Sequence, residues 1–393
     1  MSKQLLSEHA RPVLTPIAHR LPVLHQDADE FAQSLSARAV PAKLFSRTEQ
    51  GHLRCVACAH ECVIQDGRAG ACGVRYARGD TLFAPANYVA RQYVRSVESN
   101  TIYHAHPGAR ALIFGMFGCD LRCPYCHNAS ISQALRDPTE PSAPIDVTAT
   151  ELVDLAQAQG CTFVCAAYNE PMIAVEWVYE VFREAKSRGL MTAVVTDGNS
   201  TASAMQYLRP VCDVFRVDLK AATNEQYKQL GGRLDPVIAS IKRAVELGYW
   251  VELVTLLVEG FNDALPELRA LMAQVATISL DIPWHFNAFV PRYKLKEYRR
   301  TSMLTVASVV GMAYARGFRW VYGSNAPGGH TELSHTRCPR CQCTLIERVD
   351  YVCRAYRLSP QGCCSECGEP IAGLWNHTAS AAEPLAASDA ELP

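Results

Sequence analysis

Cysteine placement constrains this chain more than any other feature. It has 17 cysteines among 393 residues, and all but Cys161, Cys165 and Cys212 lie in three tight groups. Cys55, Cys58, Cys62 and Cys72 form the first, Cys119, Cys123 and Cys126 the second, and Cys338, Cys341, Cys343, Cys353, Cys363, Cys364 and Cys367 the third. In a small secreted protein such density builds disulfides, whereas in a long chain with no export signal it points to metal binding or catalysis. Residues 1–21 mix Lys3, Glu8, Arg11 and Arg20 with short apolar stretches, unlike the apolar core of a signal peptide. No run of about eighteen apolar residues offers a membrane span. A cytoplasmic protein without membrane contact is therefore expected. The formal net charge of −1 gives no overall electrostatic case for nucleic acid.

Between the cysteine groups, hydrophobic periodicity points to a fold class. Short apolar runs at Ala111–Phe117, Thr162–Tyr168, Leu190–Thr196, Val214–Leu219, Trp250–Val258, Trp284–Val290 and Arg319–Tyr322 read as strands. Thr148–Gln159, the Val175, Val178, Phe182 and Ala185 series, Leu265–Val275 and Met303–Arg316 read as helices. Strands alternating with helices imply a parallel sheet with crossover helices. Roughly six such units predict a partial or full (β/α) barrel, with a doubly wound open sheet as the alternative. The expected divisions are a lead-in over 1–50 with a short helix near Asp29–Ala37, and a cysteine-rich module over 51–108. An α/β core over 109–330, a zinc-ribbon-like module over 331–375 and a disordered tail over 376–393 follow.

The central group has the spacing C-x3-C-x2-C, in Gly118-Cys119-Asp120-Leu121-Arg122-Cys123-Pro124-Tyr125-Cys126, directly after a predicted strand. Thiolates suit iron–sulfur clusters and zinc. Three in one loop can anchor three corners of a cubane and leave the fourth iron open to a ligand. The run resembles the radical S-adenosylmethionine (SAM) superfamily. That resemblance implies a [4Fe-4S] cluster on Cys119, Cys123 and Cys126, and SAM chelated to the open iron. One-electron cleavage would then yield a 5′-deoxyadenosyl radical that abstracts hydrogen from a substrate. It implies an external electron donor, and it sets Tyr125 against the SAM adenine, ordinary packing being the other reading.

In a (β/α) core, functional groups gather at the C-terminal ends of strands. Tyr168-Asn169-Glu170-Pro171 resembles the Gly-Gly-Glu-Pro element of radical SAM activating enzymes, which implies that Asn169 and Glu170 lie at the SAM amino group. Thr196-Asp197-Gly198-Asn199 stands where relatives usually show Thr-Asn-Gly, so Thr196 matches and Asp197 departs. Asp218-Leu219-Lys220 resembles the Asp-Leu-Lys of the same enzymes, near SAM and substrate. In Pro283-Trp284-His285-Phe286-Asn287, His285 and Asn287 point to one side of a strand. His285 reads either as a contact to SAM or substrate or as a satisfied core histidine.

Cys338-x2-Cys341 and Cys364-x2-Cys367 have zinc-ribbon spacing, the residues between them sufficing for a hairpin, and a structural Zn²⁺ leads over a second iron–sulfur cluster. For Cys55, Cys58, Cys62 and Cys72, zinc and an auxiliary iron–sulfur cluster stand level. The order of the three modules, with Gly70-x-Cys72-Gly73-Val74-Arg75 and Tyr103-His104-x2-Pro107-Gly108, resembles radical SAM enzymes of the AmmeMemoRadiSam system, relatives of the pyruvate formate-lyase activating enzyme. That family name implies an AMMECR-type and a Memo-like protein as partners, and a peptide, protein or small molecule as substrate. Glycyl-radical generation on a protein partner is one version of the activity. A zinc-ribbon scaffold with no catalysis is the reading from a different class.

Overall fold

Largely apolar runs of four to eight residues, with one polar strand at the edge, build one eight-stranded sheet. The computed structural model describes residues 30–137, 143–325 and 331–375. Most of the expected lead-in and the whole of the expected tail over 376–393 lie outside the described residues. The strands stand side by side in chain order: Arg91–Ser96, Arg110–Gly115, Phe163–Ala166, Met191–Thr196, Val214–Asp218, Trp250–Leu257, Trp284–Ala288 and Val321–Ser324. All neighbours pair in parallel except the first two, which are antiparallel. Parallel neighbours need crossovers. Helices Ala149–Ala158, Val175–Ser187, Ala202–Leu208, Leu234–Glu246, Leu265–Ala276 and Met303–Arg316 supply them. Local sequence sets their ends. Thr148 and Glu151 cap each other's backbone at the first helix, and Ser302 caps the last, which stops at Gly317 with φ near +104°.

Side chains alternate across this sheet, so each face has its own core. Leu112, Phe114, Val164, Val194, Phe215, Val217, Leu253 and Phe286 pack on the helices. Ile113, Phe163, Cys165, Ala193 and Val214 pack instead on Val97, Ile102 and Ala105 of the segment after the first strand. All the described crossover helices thus lie on one face, which is not the doubly wound arrangement. Of the partial or full barrel expected, the structure does not confirm a closed one. Among the described residues no pairing joins Arg91–Ser96 to Val321–Ser324, so the α/β sheet stays open. The inner face is covered by residues 97–105 and by the C-terminal module, through Tyr103, Trp320, Tyr322, Leu345 and Ile346.

Two buried arginines fasten the outer modules. The N-terminal one consists of short antiparallel sheets, Phe45–Arg47 with Leu53–Cys55 and Val63–Ile64, and Ala39–Pro41 with Thr81–Pro85 and Tyr76–Arg78. Its Arg75 donates to both Glu176 carboxylate oxygens at 2.7 and 2.8 Å and to the Ile173 carbonyl at 3.1 Å. Glu176 also accepts the Lys43 and Leu44 amides. The C-terminal module is the expected hairpin, Thr344–Val349 with Val352–Tyr356. Its fully buried Arg348 donates to the Tyr103 carbonyl at 2.7 Å, sits 4.1 Å from the Tyr103 ring centroid and lies 3.7 Å from Glu98.

Burial pushes the Glu176 carboxyl up, but the charge and hydrogen bonds of Arg75 prevail and hold it at about 2, against 4.5 ordinarily. A carboxyl depressed in the folded state adds stability above its unfolded pKa and loses it as pH falls toward the folded value. Urea unfolding of the wild type should therefore weaken as pH drops from about 4.5 to about 2. Glu176→Gln, which strands the buried guanidinium, should cost about 3–5 kcal/mol at neutral pH. It should also flatten that acid slope; an unchanged slope would show that the pair does not govern it.

Candidate active site

The strand Arg110–Gly115 ends under the central cysteine loop, and Asn169 fixes the turn between them. Its Oδ1 accepts the Met116 amide at 3.0 Å, and its Nδ2 donates to the Gly118 carbonyl at 3.0 Å and to the Glu170 carbonyl at 3.3 Å. Gly118 adopts φ +87°, and a Cβ there would lie 2.8 Å from the Cys72 carbonyl oxygen. Only glycine fits that approach. Arg136 ties the loop from the other side, donating to the carbonyls of Cys119 at 2.6 Å, Leu121 at 3.0 Å and Ala71. Cys123 is buried, and Cys119 and Cys126 are half-buried. Burial drives the Cys123 thiol up to about 12 although Lys220 opposes it, and burial together with Asp120 raises Cys119. Loading iron here must therefore displace protons.

Beside the thiols lies a nest of buried carboxyl groups. Glu170 accepts the Met172 amide at 2.9 Å, the Asp197 amide at 2.7 Å and the Thr196 hydroxyl at 2.9 Å. Asp197 accepts the Asn199 amide at 3.0 Å through Oδ1, while its buried Oδ2 has no hydrogen-bond partner. Asp120 accepts the Asn199 side-chain amide at 2.7 Å. One donor atom each from Cys119, Asp120 and Asp197 lie within 4.8 Å of one another. Burial, then the charge of Asp120, lifts Glu170 to about 7, and burial with Asp120 and Glu170 lifts Asp197 well above its usual range. The nest thus resists carrying its full negative charge and is disposed to receive a cation. Lys220 approaches from the next strand end, 3.1 Å from Asp218, which also pairs with Arg216. Burial opposes ionisation of Asp218, but Arg216 and Lys220 hold its carboxyl below the usual range. The Tyr125 ring is buried against Phe261, its hydroxyl without a hydrogen-bond partner.

The expected residues Cys119, Cys123, Cys126, Tyr125, Glu170, Thr196, Asp218 and Lys220 are brought together at the strand ends. Asn169 is close by, but its amide is committed to the chain's own backbone. His285 is different. Its Nε2 is 2.9 Å from Glu252, and its ring packs on Tyr322 and Tyr103 at zero exposure. Glu252 in turn accepts the Tyr103 and His104 amides. His285 belongs to the covered inner face, paired with Glu252 through Nε2 and with its Nδ1 buried without a hydrogen-bond partner. Asp120, Asn199 and Arg136 were not singled out from the sequence as site residues. For Asp120 a signal existed, since it directly follows the first thiol.

Residues 113–272 match the family described as the Radical SAM superfamily. This stretch is a radical SAM domain, and the chain is an enzyme. It is 28% identical over 333 residues to an uncharacterized protein of Methanocaldococcus jannaschii, covering 84% of this chain and 98% of that one. It is 28% identical over 195 residues to the pyruvate formate-lyase-activating enzyme of Staphylococcus epidermidis, covering 46% of this chain and 73% of that enzyme. The crystal structure of a radical SAM methyltransferase from Sphaerobacter thermophilus superposes with a TM-score of 0.44 at 15% identity, covering 74% of this chain and 78% of that one. Radical SAM enzymes use a [4Fe-4S] cluster and SAM, and the donor set here suits both. Three thiols stand in one loop, Cys119 beside Asp197 with its unpartnered carboxylate oxygen, and the loop carries the unpartnered phenol of Tyr125.

The outer cysteine groups differ in sulfur spacing. Cys338, Cys341, Cys364 and Cys367 lie within 4.8 Å of one another, with the Cys338–Cys367 and Cys341–Cys364 sulfurs 3.6 Å apart. Cys343 adds a fifth thiol 3.4 Å from both Cys341 and Cys364. Cys55, Cys58 and Cys72 are buried and Cys62 half-buried, but these four form no such tight group. Among the described residues no helix is long and apolar enough to cross a membrane.

Asn169→Ala should leave Met116 and Gly118 without their buried partners and cost about 1–3 kcal/mol in thermal or urea unfolding. The variant should also retain less iron after anaerobic desalting. Wild-type iron retention would show that the loop holds its shape without this amide.

Proposed function

We propose that Cys119, Cys123 and Cys126 hold the [4Fe-4S] cluster and that the enzyme abstracts hydrogen from a peptide, protein or small molecule. Bound there, the cluster with SAM supplies one-electron cleavage of SAM to a 5′-deoxyadenosyl radical. The observation that carries the reading is the carboxyl nest beside three thiols at the ends of parallel strands. Glu170 and Asp197 offer acceptors to the SAM ammonium, with Thr196 orienting Glu170. Lys220, steadied by Asp218, offers a cation to the SAM carboxylate. Tyr125 and Phe261 present an apolar wall to the adenine and keep water from it.

The tight C-terminal thiols support zinc there. A tetrahedral ion with Zn–S bonds near 2.3 Å sets its sulfurs roughly 3.8 Å apart. The division into modules over 51–108, 109–330 and 331–375 and the AmmeMemoRadiSam assignment, with its AMMECR-type and Memo-like associates, belong to the same proposal. Their support is the order of the three cysteine groups.

The test is anaerobic: iron-reconstituted, dithionite-reduced protein is given SAM and 5′-deoxyadenosine is measured. Formation in the wild type and a loss of about a thousandfold in Cys123→Ala is expected. Iron-loaded protein in which Cys123→Ala produces as much as the wild type would refute the assignment. Protein that takes up zinc alone at all three groups would replace the enzyme reading with that of a scaffold.

A further inference from the structure

Along the first strand of the large sheet, Arg91, Tyr93 and Arg95 alternate, so their side chains share one face. Pairing identifies that face. Arg91, Tyr93 and Arg95 stand opposite Gly115, Ile113 and Ala111, and both Ile113 and Ala111 belong to the inner core. The Arg91 and Arg95 guanidiniums lie 5.9 and 5.2 Å from the Tyr93 ring centroid, and the Tyr168 ring meets that ring edge-on at 6.1 Å. Tyr93 is 40% exposed, and Arg91, Arg95 and Tyr168 are half-buried. Two cations and two phenols thus meet at a surface that solvent reaches.

This group adjoins the candidate active site. Arg91 donates to the Ser130 hydroxyl at 3.2 Å, just beyond the third thiol of the central loop, and among the described residues it pairs with no carboxylate. Tyr168 directly precedes Asn169 and Glu170. Its backbone sits at φ +73°, a region that a bulky residue occupies only under strain. Gly115 makes room for it, since a Cβ there would lie 2.7 Å from the Ala167 carbonyl oxygen and 3.0 Å from the Tyr168 Cβ. Strain of this kind persists where the surrounding structure holds a side chain to a task. Farther along the same face Val195 and Asp218 are half-buried, so solvent reaches from the arginines toward Lys220.

We propose that Arg91 and Arg95, with the phenols of Tyr93 and Tyr168, bind a carboxylate or phosphate group of the substrate. Guanidiniums form charge-assisted hydrogen bonds with either group, and each phenol can donate one more. The carboxyl nest takes a cation, and this patch takes an anion at the edge of the sheet. That the anion belongs to a substrate rests on the radical SAM reading above; that an anion binds does not.

The iron-loaded full chain is titrated with inorganic phosphate and with acetate at constant ionic strength, and the thermal unfolding midpoint is followed. A saturable rise is expected with at least one of them, phosphate acting at lower concentration if the substrate carries a phosphate and acetate if it carries a carboxylate. In the double variant Arg91→Gln with Arg95→Gln the apparent affinity should fall about tenfold. The same dependence in both proteins would be a general salt effect and would overturn the site. SAM affinity should stay within about twofold in that variant; a fall of about tenfold would give the arginines to the carboxylate of SAM and overturn the substrate reading. Should the double variant fail to fold, Tyr168→Phe keeps the ring and its packing. It should bind the anion about fivefold more weakly, and unchanged binding would overturn the site. Saturable anion binding by a protein that makes no 5′-deoxyadenosine would refute the radical reading and leave the anion site standing.

Discussion

Negative charge confined to a small buried volume is the constraint on which this site depends. Glu170, Asp197 and Asp120 crowd one side of the central thiols, and Lys220 faces them across it. Burial and neighbouring charge hold the Glu170 and Asp197 carboxyls above their usual range, which a cation beside them would relieve. The chain meets part of the deficit with amide and hydroxyl donors from Met172, Thr196, Asp197 and Asn199. The remainder is left for a ligand. The Asp197 Oδ2 atom, buried and without a hydrogen-bond donor, is the acceptor this arrangement leaves open to a cation.

Holding that volume in place falls to two arginines at opposite ends of the chain. Arg75 and Arg348 each enter the core from a small cysteine-rich module, and each meets a buried glutamate. Such pairs contribute little net stability compared with apolar packing. Their effect is to fix position. Glu176 receives two guanidinium nitrogens and two amides, so the N-terminal module can dock in one register only. Arg348 stacks on Tyr103 while Glu252 holds the Tyr103 amide and the His285 ring. The inner face of the open sheet is thus covered by a polar lattice that these residues hold together.

Parallel strands were legible because burial on both faces makes them continuous apolar runs, as in Trp250–Leu257 and Trp284–Ala288. Arg91–Ser96 was not, since Arg91-Gln92-Tyr93-Val94-Arg95-Ser96 lies at the sheet edge and carries the polar residues an edge tolerates. The alternation of His285 and Asn287 correctly read which side of the strand they share. Which partners cover that side depended on Tyr103 and Tyr322, distant in sequence. Asp197 looked like a departure from a motif, and only the fold shows it beside Asp120. Cysteine order was plain in the sequence, but sulfur spacing is a tertiary property that C-x2-C cannot carry.

That last distinction separates the three thiol groups by physical task. Thiols drawn together across a hairpin, as at Cys338 and Cys367, could hold an ion in a closed four-sulfur site, which would suit a clamp over the inner face. Thiols spread along one loop leave room for a larger inorganic core and for a ligand on it. The glycine at 118 brings the N-terminal module into contact with that loop at the one point where side-chain bulk would hold them apart. Arg75, three residues after Cys72, ties the same stretch of chain to Glu176. The close backbone approach of Cys72 to Gly118 brings the main chains of the two cysteine groups together.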